Sequence, residues 1–167
     1  MITLVIGGAR SGKSGFSLAS ASGIPGRKAY VATAQALDDE MRERIEKHRK
    51  ERSSDWQTFE EPLALSDLLN RIGGEYDDII VDCLTLWLSN QMMDNRDVML
   101  EFERLLSSIQ SCKGHIFLVS NEVGMGIVPG DAMSRRFRDL AGTINRRMAE
   151  TADTVYLVTA GIPLKIK

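Results

Sequence analysis

The residues with the clearest capacity for chemistry lie near the start of the chain, where Gly7 and Gly12 are followed by Lys13 and Ser14. Four residues separate the two glycines, which is the spacing of a phosphate-binding loop, or P-loop. Glycines let backbone N–H groups turn toward a polyphosphate, lysine supplies a positive charge, and a serine hydroxyl is a hard ligand for Mg²⁺. The motif predicts a nucleotide-binding loop made of Gly7, Gly8, Ala9, Arg10, Ser11, Gly12, Lys13 and Ser14.

The residues around this loop have the pattern that a P-loop requires. An apolar run at 3–6 predicts a buried strand, and a helical pattern begins near Lys13. The N-terminal end of that helix would add a positive partial charge for phosphate. A glycine-rich turn without a ligand is the alternative, but the order of strand, loop and helix favours nucleotide binding.

Short apolar runs and helical patterns alternate along the rest of the chain. Such alternation predicts an α/β fold in which helices cover both faces of a mostly parallel sheet. Ligands of such sheets bind beyond the carboxyl ends of the strands. The predicted strands are 3–6, 29–32, 78–81, 116–120 and 154–159, with a tail at 162–167, and the predicted helices are 13–21, 38–52, 64–72, 84–93, 98–112 and 134–151.

Composition limits the classes of function. A chain of 167 residues with 43% hydrophobic and 26% charged residues is typical of one globular domain, predicted to span 1–167. A net charge of −2 gives no electrostatic reason to bind nucleic acid. Cys83 and Cys112 form no CxxC pair and only two histidines are present, so we expect no structural zinc. The chain has no apolar run of membrane-spanning length and no signal peptide, so we expect a cytoplasmic protein without membrane insertion.

Asp82 is the candidate partner for the P-loop. It ends the apolar strand predicted at 78–81. A carboxylate at such a strand end can help a P-loop serine to hold Mg²⁺. A solvated aspartate is the alternative, but Ser14 needs a partner for the metal, so we favour a metal site made of Ser14 and Asp82.

Two other segments resemble nucleotide-binding motifs without fitting them. Residues 139–142 have the DxxG pattern of switch GTPases, but they lie within a helical pattern, and no Asn-Lys-x-Asp segment is present. Residues 123–127 match half of a dinucleotide-binding fingerprint, without its third glycine and its acidic partner. We therefore favour neither function.

The segment 38–52 has equal numbers of acidic and basic residues, which is typical of a solvated helix. Met41, Ile45 and His48 nevertheless recur at helical spacing, so His48 should lie on the face that contacts the protein. From the residues alone, His48 is either a partly buried structural histidine or a histidine directed at an anionic ligand.

Several segments together resemble one enzyme family, the bifunctional adenosylcobinamide kinase/adenosylcobinamide-phosphate guanylyltransferases of cobalamin biosynthesis. The similarity runs from Ile2 almost to the C-terminus. The run at 121–129 is more specific than the P-loop, because unrelated kinases do not carry it. The resemblance rests on 7–14, 37–49, Trp56, 81–87, 121–129, 136–139, Gly142 and Asn145.

The resemblance implies a RecA-like P-loop NTPase fold of three layers and two reactions. In the first, Lys13 and Mg²⁺ on Ser14 and Asp82 would assist transfer of the γ-phosphoryl group of ATP or GTP to adenosylcobinamide. In the second, His48 would attack the α-phosphorus of GTP and form a guanylylated histidine. Adenosylcobinamide phosphate would then accept GMP and give adenosyl-GDP-cobinamide. The implied catalytic residues are His48 and Lys13.

The resemblance also implies further contacts and an assembly. Arg49 and Arg52 suit phosphate oxygens, and Glu60 suits the N–H edge of guanine. A homotrimer is implied as well. Because a corrinoid is too large for a cleft in so small a subunit, we expect its site between subunits. The loop at 121–129 is either a tight structural turn or a substrate contact, and the role of Glu122 is left open. Beyond the P-loop, the implied nucleotide-binding residues are Ala32, Thr33, Ala34, Arg49, Lys50, Glu51, Arg52, Glu60 and Asp82.

Two other functions are consistent with the P-loop. Another small-molecule kinase would use Lys13, Ser14 and Asp82 and leave His48 without a role. A RecA-like regulatory ATPase would need a basic interaction face, which a nearly neutral chain does not predict. Labelling with α-labelled GTP separates these possibilities, because only a guanylyltransferase of this kind would retain the label.

Overall fold

The computed structural model describes residues 1–50 and 53–167, and of Arg44 and Lys50 only the backbone. The predicted strands and helices are present with ends close to those expected. The strands are β1 (Ile2–Gly7), β2 (Lys28–Ala32), β3 (Trp56–Glu60), β4 (Asp78–Asp82), β5 (His115–Asn121), β6 (Thr154–Thr159) and β7 (Ile162–Lys165). The helices are α1 (Lys13–Ser22), α2 (Asp39–Lys50), α3 (Leu65–Ile72), α4 (Leu84–Met93), α5 (Val98–Ser111) and α6 (Ala132–Thr151).

The strands form one sheet in the order β3-β2-β4-β5-β1-β6-β7. All neighbouring pairs are parallel except β6 and β7, which form an antiparallel hairpin at one edge. This arrangement confirms the predicted α/β fold with a mostly parallel sheet. It also places the ends of β1, β4 and β5 side by side at the carboxyl edge of the sheet.

Alternate residues of the central strands supply two separate cores. Val31, Val81 and Leu118 pack in one cluster with the buried faces of α3, α4, α5 and α6. Tyr30, Ile80, Phe117 and their neighbours form the second cluster, with Ala21 of α1. The sheet therefore lies between two helical layers, as predicted, and α1 covers the face toward which Tyr30 points.

The strand β3 was not predicted. Trp56 is buried, while the last residue, Glu60, is exposed. β3 is an edge strand that pairs in parallel with β2 alone. Its sequence, WQTFE, has too few apolar residues to resemble the central strands. The aromatic and β-branched residues Trp56, Thr58 and Phe59 are the signal that would have identified it.

Two other expectations bear on function. The DxxG-like residues 139–142 lie inside α6, as the helical pattern predicts. Within 1–50 and 53–167, no helix has both the length and the apolar character needed to cross a bilayer.

Candidate active site

The P-loop joins β1 to α1 at the carboxyl edge, and its backbone requires the two glycines of the motif. A Cβ atom at Gly7 would lie 2.2 Å from the carbonyl oxygen of Val158, so no larger residue fits there. Gly12 is the N-cap of α1 and has a φ of 98°, in the region that favours glycine. The loop thus delivers Lys13 and Ser14 into the first turn of the helix.

Lys13 lies over the loop that precedes it. Its ammonium group donates a hydrogen bond of 2.6 Å to the carbonyl oxygen of Gly8, and the residue is buried. Lys13, Ser17 and Ala21 form the buried stripe of α1, so the packing of the helix fixes the base of the lysine side chain. Its charge is therefore held where phosphates would enter the loop.

Ser14 and Asp82 meet although β5 lies between β4, which ends at Asp82, and β1, which leads into the P-loop. The Ser14 hydroxyl donates a hydrogen bond of 2.9 Å to Oδ2 of Asp82, and the hydroxyl of Tyr30 donates to the same oxygen. Hydroxyl and carboxylate oxygens at hydrogen-bond distance can bind one small hard cation, and nucleotide phosphates and waters complete such a site for Mg²⁺. The described side chains include no group of three or more His, Cys, Asp and Glu that could hold a metal without those phosphates.

One cavity of about 960 Å³ lies between the P-loop and α2. Residues 10–14 and Asp82 line one side, and Met41, Ile45 and His48 of α2 line the other. All three α2 residues are half-buried. The structure therefore brings His48 and the predicted phosphate and metal groups to a single cavity, which is at the upper end of small-molecule sites of about 300–1,000 Å³.

The residues implied at the end of β2 have different positions. Ala32 and Ala34 line the cavity. Thr33 is fully buried, and its hydroxyl donates to the carbonyl oxygen of Cys83 (2.8 Å) and accepts from the Cys83 N–H (2.7 Å). The Thr33 side chain therefore fastens β2 to the residue that follows β4.

Arg49 and Glu60 contact each other. A guanidinium nitrogen of Arg49 lies against Oε1 of Glu60, so this ion pair joins α2 to β3, and both side chains are about half exposed (55% each). Neither residue is among those that line the cavity. The proposed contact of Glu60 with guanine would compete with Arg49. Three other predicted contacts lie outside what the structure describes: the side chain of Lys50, and the residues Glu51 and Arg52.

The loop after β5 is held by hydrogen bonds to the P-loop, to α6 and within itself. The Glu122 N–H donates to the carbonyl oxygen of Gly7 (2.9 Å), and the Glu122 carboxylate accepts from the N–H of Gly124 (2.7 Å). Arg135 binds the carbonyl oxygens of Pro129 and Gly130. These contacts make Glu122 part of the loop's own structure, beside the P-loop.

Comparison with known proteins identifies the family. Residues 3–166 match the family described as cobinamide kinase / cobinamide phosphate guanyltransferase. The chain belongs to this family. It is 44% identical to the bifunctional adenosylcobalamin biosynthesis protein CobP of Pseudomonas aeruginosa, covering all of this chain and 98% of that protein. It is 38% identical to the bifunctional adenosylcobalamin biosynthesis protein CobU of Escherichia coli, with full coverage of both chains.

Solved structures are similar in fold only. The flagellar accessory protein FlaH of Methanocaldococcus jannaschii aligns with a TM-score of 0.55 at 14% identity, over 99% of this chain and 77% of that one. The RadB recombinase aligns with a TM-score of 0.56 at 14% identity, over 93% and 73% of the respective chains. The RecA-like P-loop fold is confirmed, and membership of the cobinamide kinase / guanyltransferase family makes the protein a transferase with these two activities.

Sequence reasoning missed Tyr30, and it treated Asn121 only as part of a family segment. Both line the cavity. The Asn121 side-chain amide donates to the hydroxyl of Thr85 (2.9 Å), and its backbone carbonyl accepts from Asn145 (3.0 Å). Asn121 ends β5, between the strands of the P-loop and of Asp82, so its place at the strand end was the available signal.

The remaining cysteine and histidine side chains have structural environments. Burial raises the pKa of the Cys83 thiol, as does the nearby Asp82, and burial also raises the pKa of Cys112. Both thiols therefore stay protonated and are poor nucleophiles. Burial lowers the pKa of His115, and its Nε2 lies 2.8 Å from the hydroxyl of Thr3 near the opposite edge of the sheet.

Proposed function

We propose that this kinase / guanyltransferase carries out both reactions with nucleotide held by one P-loop. ATP or GTP phosphorylates adenosylcobinamide, and GTP then gives GMP to adenosylcobinamide phosphate. The observation that carries this proposal is that His48 and residues 10–14 line the same cavity. A separate second site would not need the histidine to face the phosphate-binding loop.

The phosphorylation step depends on position and charge. The P-loop N–H groups and the Lys13 ammonium would bind the β- and γ-phosphates, and the N-terminus of α1 adds a positive partial charge. Ser14 and Asp82 would hold Mg²⁺, which neutralises phosphate charge when bound with the nucleotide. The acceptor hydroxyl attacks the γ-phosphorus and loses its proton, while the bond from that phosphorus to the β-phosphate oxygen breaks.

The guanylyl transfer divides one substitution into two. A neutral imidazole nitrogen of His48 attacks the α-phosphorus of GTP, a P–N bond forms, and pyrophosphate leaves. A phosphate oxygen of adenosylcobinamide phosphate then attacks the same phosphorus, and the P–N bond breaks. Once the Arg49 side chain leaves Glu60, it would bind and stabilise the negative phosphate oxygens near His48.

The assembly and compartment are proposed from the family resemblance. A cavity of about 960 Å³ that holds a nucleotide has little room for a corrinoid. We therefore propose a cytoplasmic homotrimer in which the corrinoid lies between neighbouring subunits, close to the loop at 121–129. Light scattering coupled to size-exclusion chromatography measures the subunit number, and a monomer at working concentration would contradict this assembly.

The test of the central proposal is covalent labelling. Wild-type protein incubated with α-labelled GTP and Mg²⁺, without corrinoid, should retain a label that is stable to alkali and released by acid, as expected for a phosphoramidate. GTP labelled at the γ-position is the matched control and should leave no label. A small-molecule kinase without the guanylyl step would retain neither label.

A further inference from the structure

Tyr30 is buried directly beneath the proposed metal site. It lies in β2 with 1% of its surface exposed, and its ring meets Trp56 edge-on with centroids 6.3 Å apart. In the parallel register Tyr30 lies beside Ile80, so Asp82 is two residues farther along β4 on the same face. The phenol spans that distance and donates a hydrogen bond to Oδ2 of Asp82.

The same carboxylate oxygen also accepts from Ser14, at 2.9 Å. A serine hydroxyl binds Mg²⁺ through an oxygen lone pair, and its proton stays available for a neighbouring acceptor such as Asp82. Ser14 would therefore bind the metal itself, whereas the phenol of Tyr30 contacts the carboxylate from the core of the molecule.

We propose that Tyr30 is a positioning residue that orients the Asp82 carboxylate for Mg²⁺. This inference rests on the metal site of the proposed function. Tyr30 acts through Asp82, because its hydroxyl donates to that carboxylate and its ring lies in the core. Partners that orient a metal ligand typically change metal affinity by about 10–100-fold when they are removed.

A purely structural role makes a different prediction. Tyr30→Phe keeps the ring and its packing against Trp56 and removes only the hydroxyl. If Tyr30 served the core alone, this change would alter stability without altering the effect of Mg²⁺ on nucleotide binding. The readout must therefore be the metal-dependent part of nucleotide affinity, measured apart from turnover.

The experiment is calorimetric titration with the α,β-methylene analogue of GTP, which His48 cannot cleave, in Mg²⁺ and in EDTA. The proteins are wild type, Tyr30→Phe, Asp82→Asn and the double variant. Mg²⁺ should raise the nucleotide affinity of wild type, and we expect this gain to be about tenfold smaller in Tyr30→Phe. In EDTA, Tyr30→Phe should bind the nucleotide as wild type does. The double variant should lose no more than Asp82→Asn alone, because both changes act on one carboxylate.

Tyr76→Phe is the matched control. Tyr76 precedes β4, at the other edge of the sheet, where its ring packs against Phe59 and beneath Arg27. This variant should keep the full gain from Mg²⁺. If Tyr30→Phe kept the full gain in nucleotide affinity from Mg²⁺, or lost affinity equally in Mg²⁺ and in EDTA, the role of Tyr30 would be overturned while the proposed metal site would stand. Absence of any Mg²⁺-dependent gain in wild type would overturn the proposed metal site as well.

Discussion

The strand β4 carries an aspartate at each end, and the two carboxylates have opposite surroundings. Asp82 lines the cavity and accepts hydrogen bonds from Ser14 and Tyr30. Asp78 is fully buried, and neither of its oxygens has a hydrogen-bond partner among the described residues. Residues 78, 80 and 82 share one face of the sheet, so the difference arises from the edge at which each aspartate lies.

The edges differ because of how the chain connects parallel strands. At the carboxyl edge, the P-loop, the residue after β4 and the loop after β5 converge, and their polar groups face a common space. At the amino edge, Lys28, Asp78 and His115 lie side by side in register; Asp78 is buried there, and the other two are partly buried. We therefore expect changes at the carboxyl edge to alter activity, and changes at the amino edge to alter stability.

Lys13→Ala should have the broadest effect on activity, because it should lower both reactions. Because one P-loop serves both reactions, we expect each to fall by at least about 100-fold, as for the loss of one transition-state charge contact. The measurement is the turnover of both reactions together with GTP affinity. Lys113→Ala, an exposed lysine at the amino edge, is the control. Normal GTP affinity in Lys13→Ala would remove the P-loop from the mechanism.

His48→Asn should separate the two reactions. Asparagine keeps polarity on the cavity wall but has no nucleophilic ring nitrogen, so guanylyl transfer should fall by on the order of 10⁴-fold or more. Phosphorylation of adenosylcobinamide should continue. The measurement is uptake of α-label beside kinase turnover in one preparation. Undiminished labelling would exclude His48 as the nucleophile, and loss of both reactions would assign it a role in the shared nucleotide site.

Asp82→Asn should have a smaller effect that depends on the metal. The Mg²⁺ concentration for half-maximal turnover should rise by about tenfold, because an amide is a weaker ligand than a carboxylate. Turnover is measured as Mg²⁺ is varied at saturating GTP. Asp78→Asn, the aspartate at the other end of the same strand, should leave the Mg²⁺ dependence unchanged. An equal shift in both variants would contradict the difference between the edges.

The sequence predicted most of the carboxyl edge because its signals are local. The P-loop is defined by spacing within 7–14, and the stripe of Met41, Ile45 and His48 follows from helical periodicity. The parallel sheet followed from the alternation of strands and helices. β3 was missed because an edge strand does not need a continuous apolar run.

Other features depend on contacts between distant parts of the chain. Tyr30 and Asp82 are 52 positions apart, and the position of β5 between β1 and β4 determines which strand ends become neighbours. The pairing of Arg49 with Glu60 likewise joins α2 to β3. No local pattern encodes these contacts, so the sequence identified Asp82 as a candidate ligand but not the hydroxyl that orients it.

Asp78→Asn tests the amino edge and should have the smallest effect on activity. Burial is the main cause that raises the pKa of Asp78 from 3.8 to about 6, with Lys28 opposing the shift and Asp77 adding to it. A carboxyl group with a raised pKa in the folded state contributes stability below pH 3.8, and this contribution is lost as the pH rises through about 6. The free energy of unfolding of wild type should therefore decrease across this interval because of Asp78.

Asparagine does not ionise, so Asp78→Asn should be more stable than wild type at pH 8, by about 1–3 kcal/mol for one buried charge without a hydrogen-bond partner. That advantage should disappear near pH 4, where Asp78 itself is neutral. Urea unfolding of both proteins across this range measures the difference, and both enzymatic activities should match wild type at pH 7. A variant less stable than wild type at pH 8 would mean that attraction to Lys28 outweighs the cost of burial. Lys28 would then stabilise Asp78 as a carboxylate, and the amino edge would hold a charge rather than a neutral group.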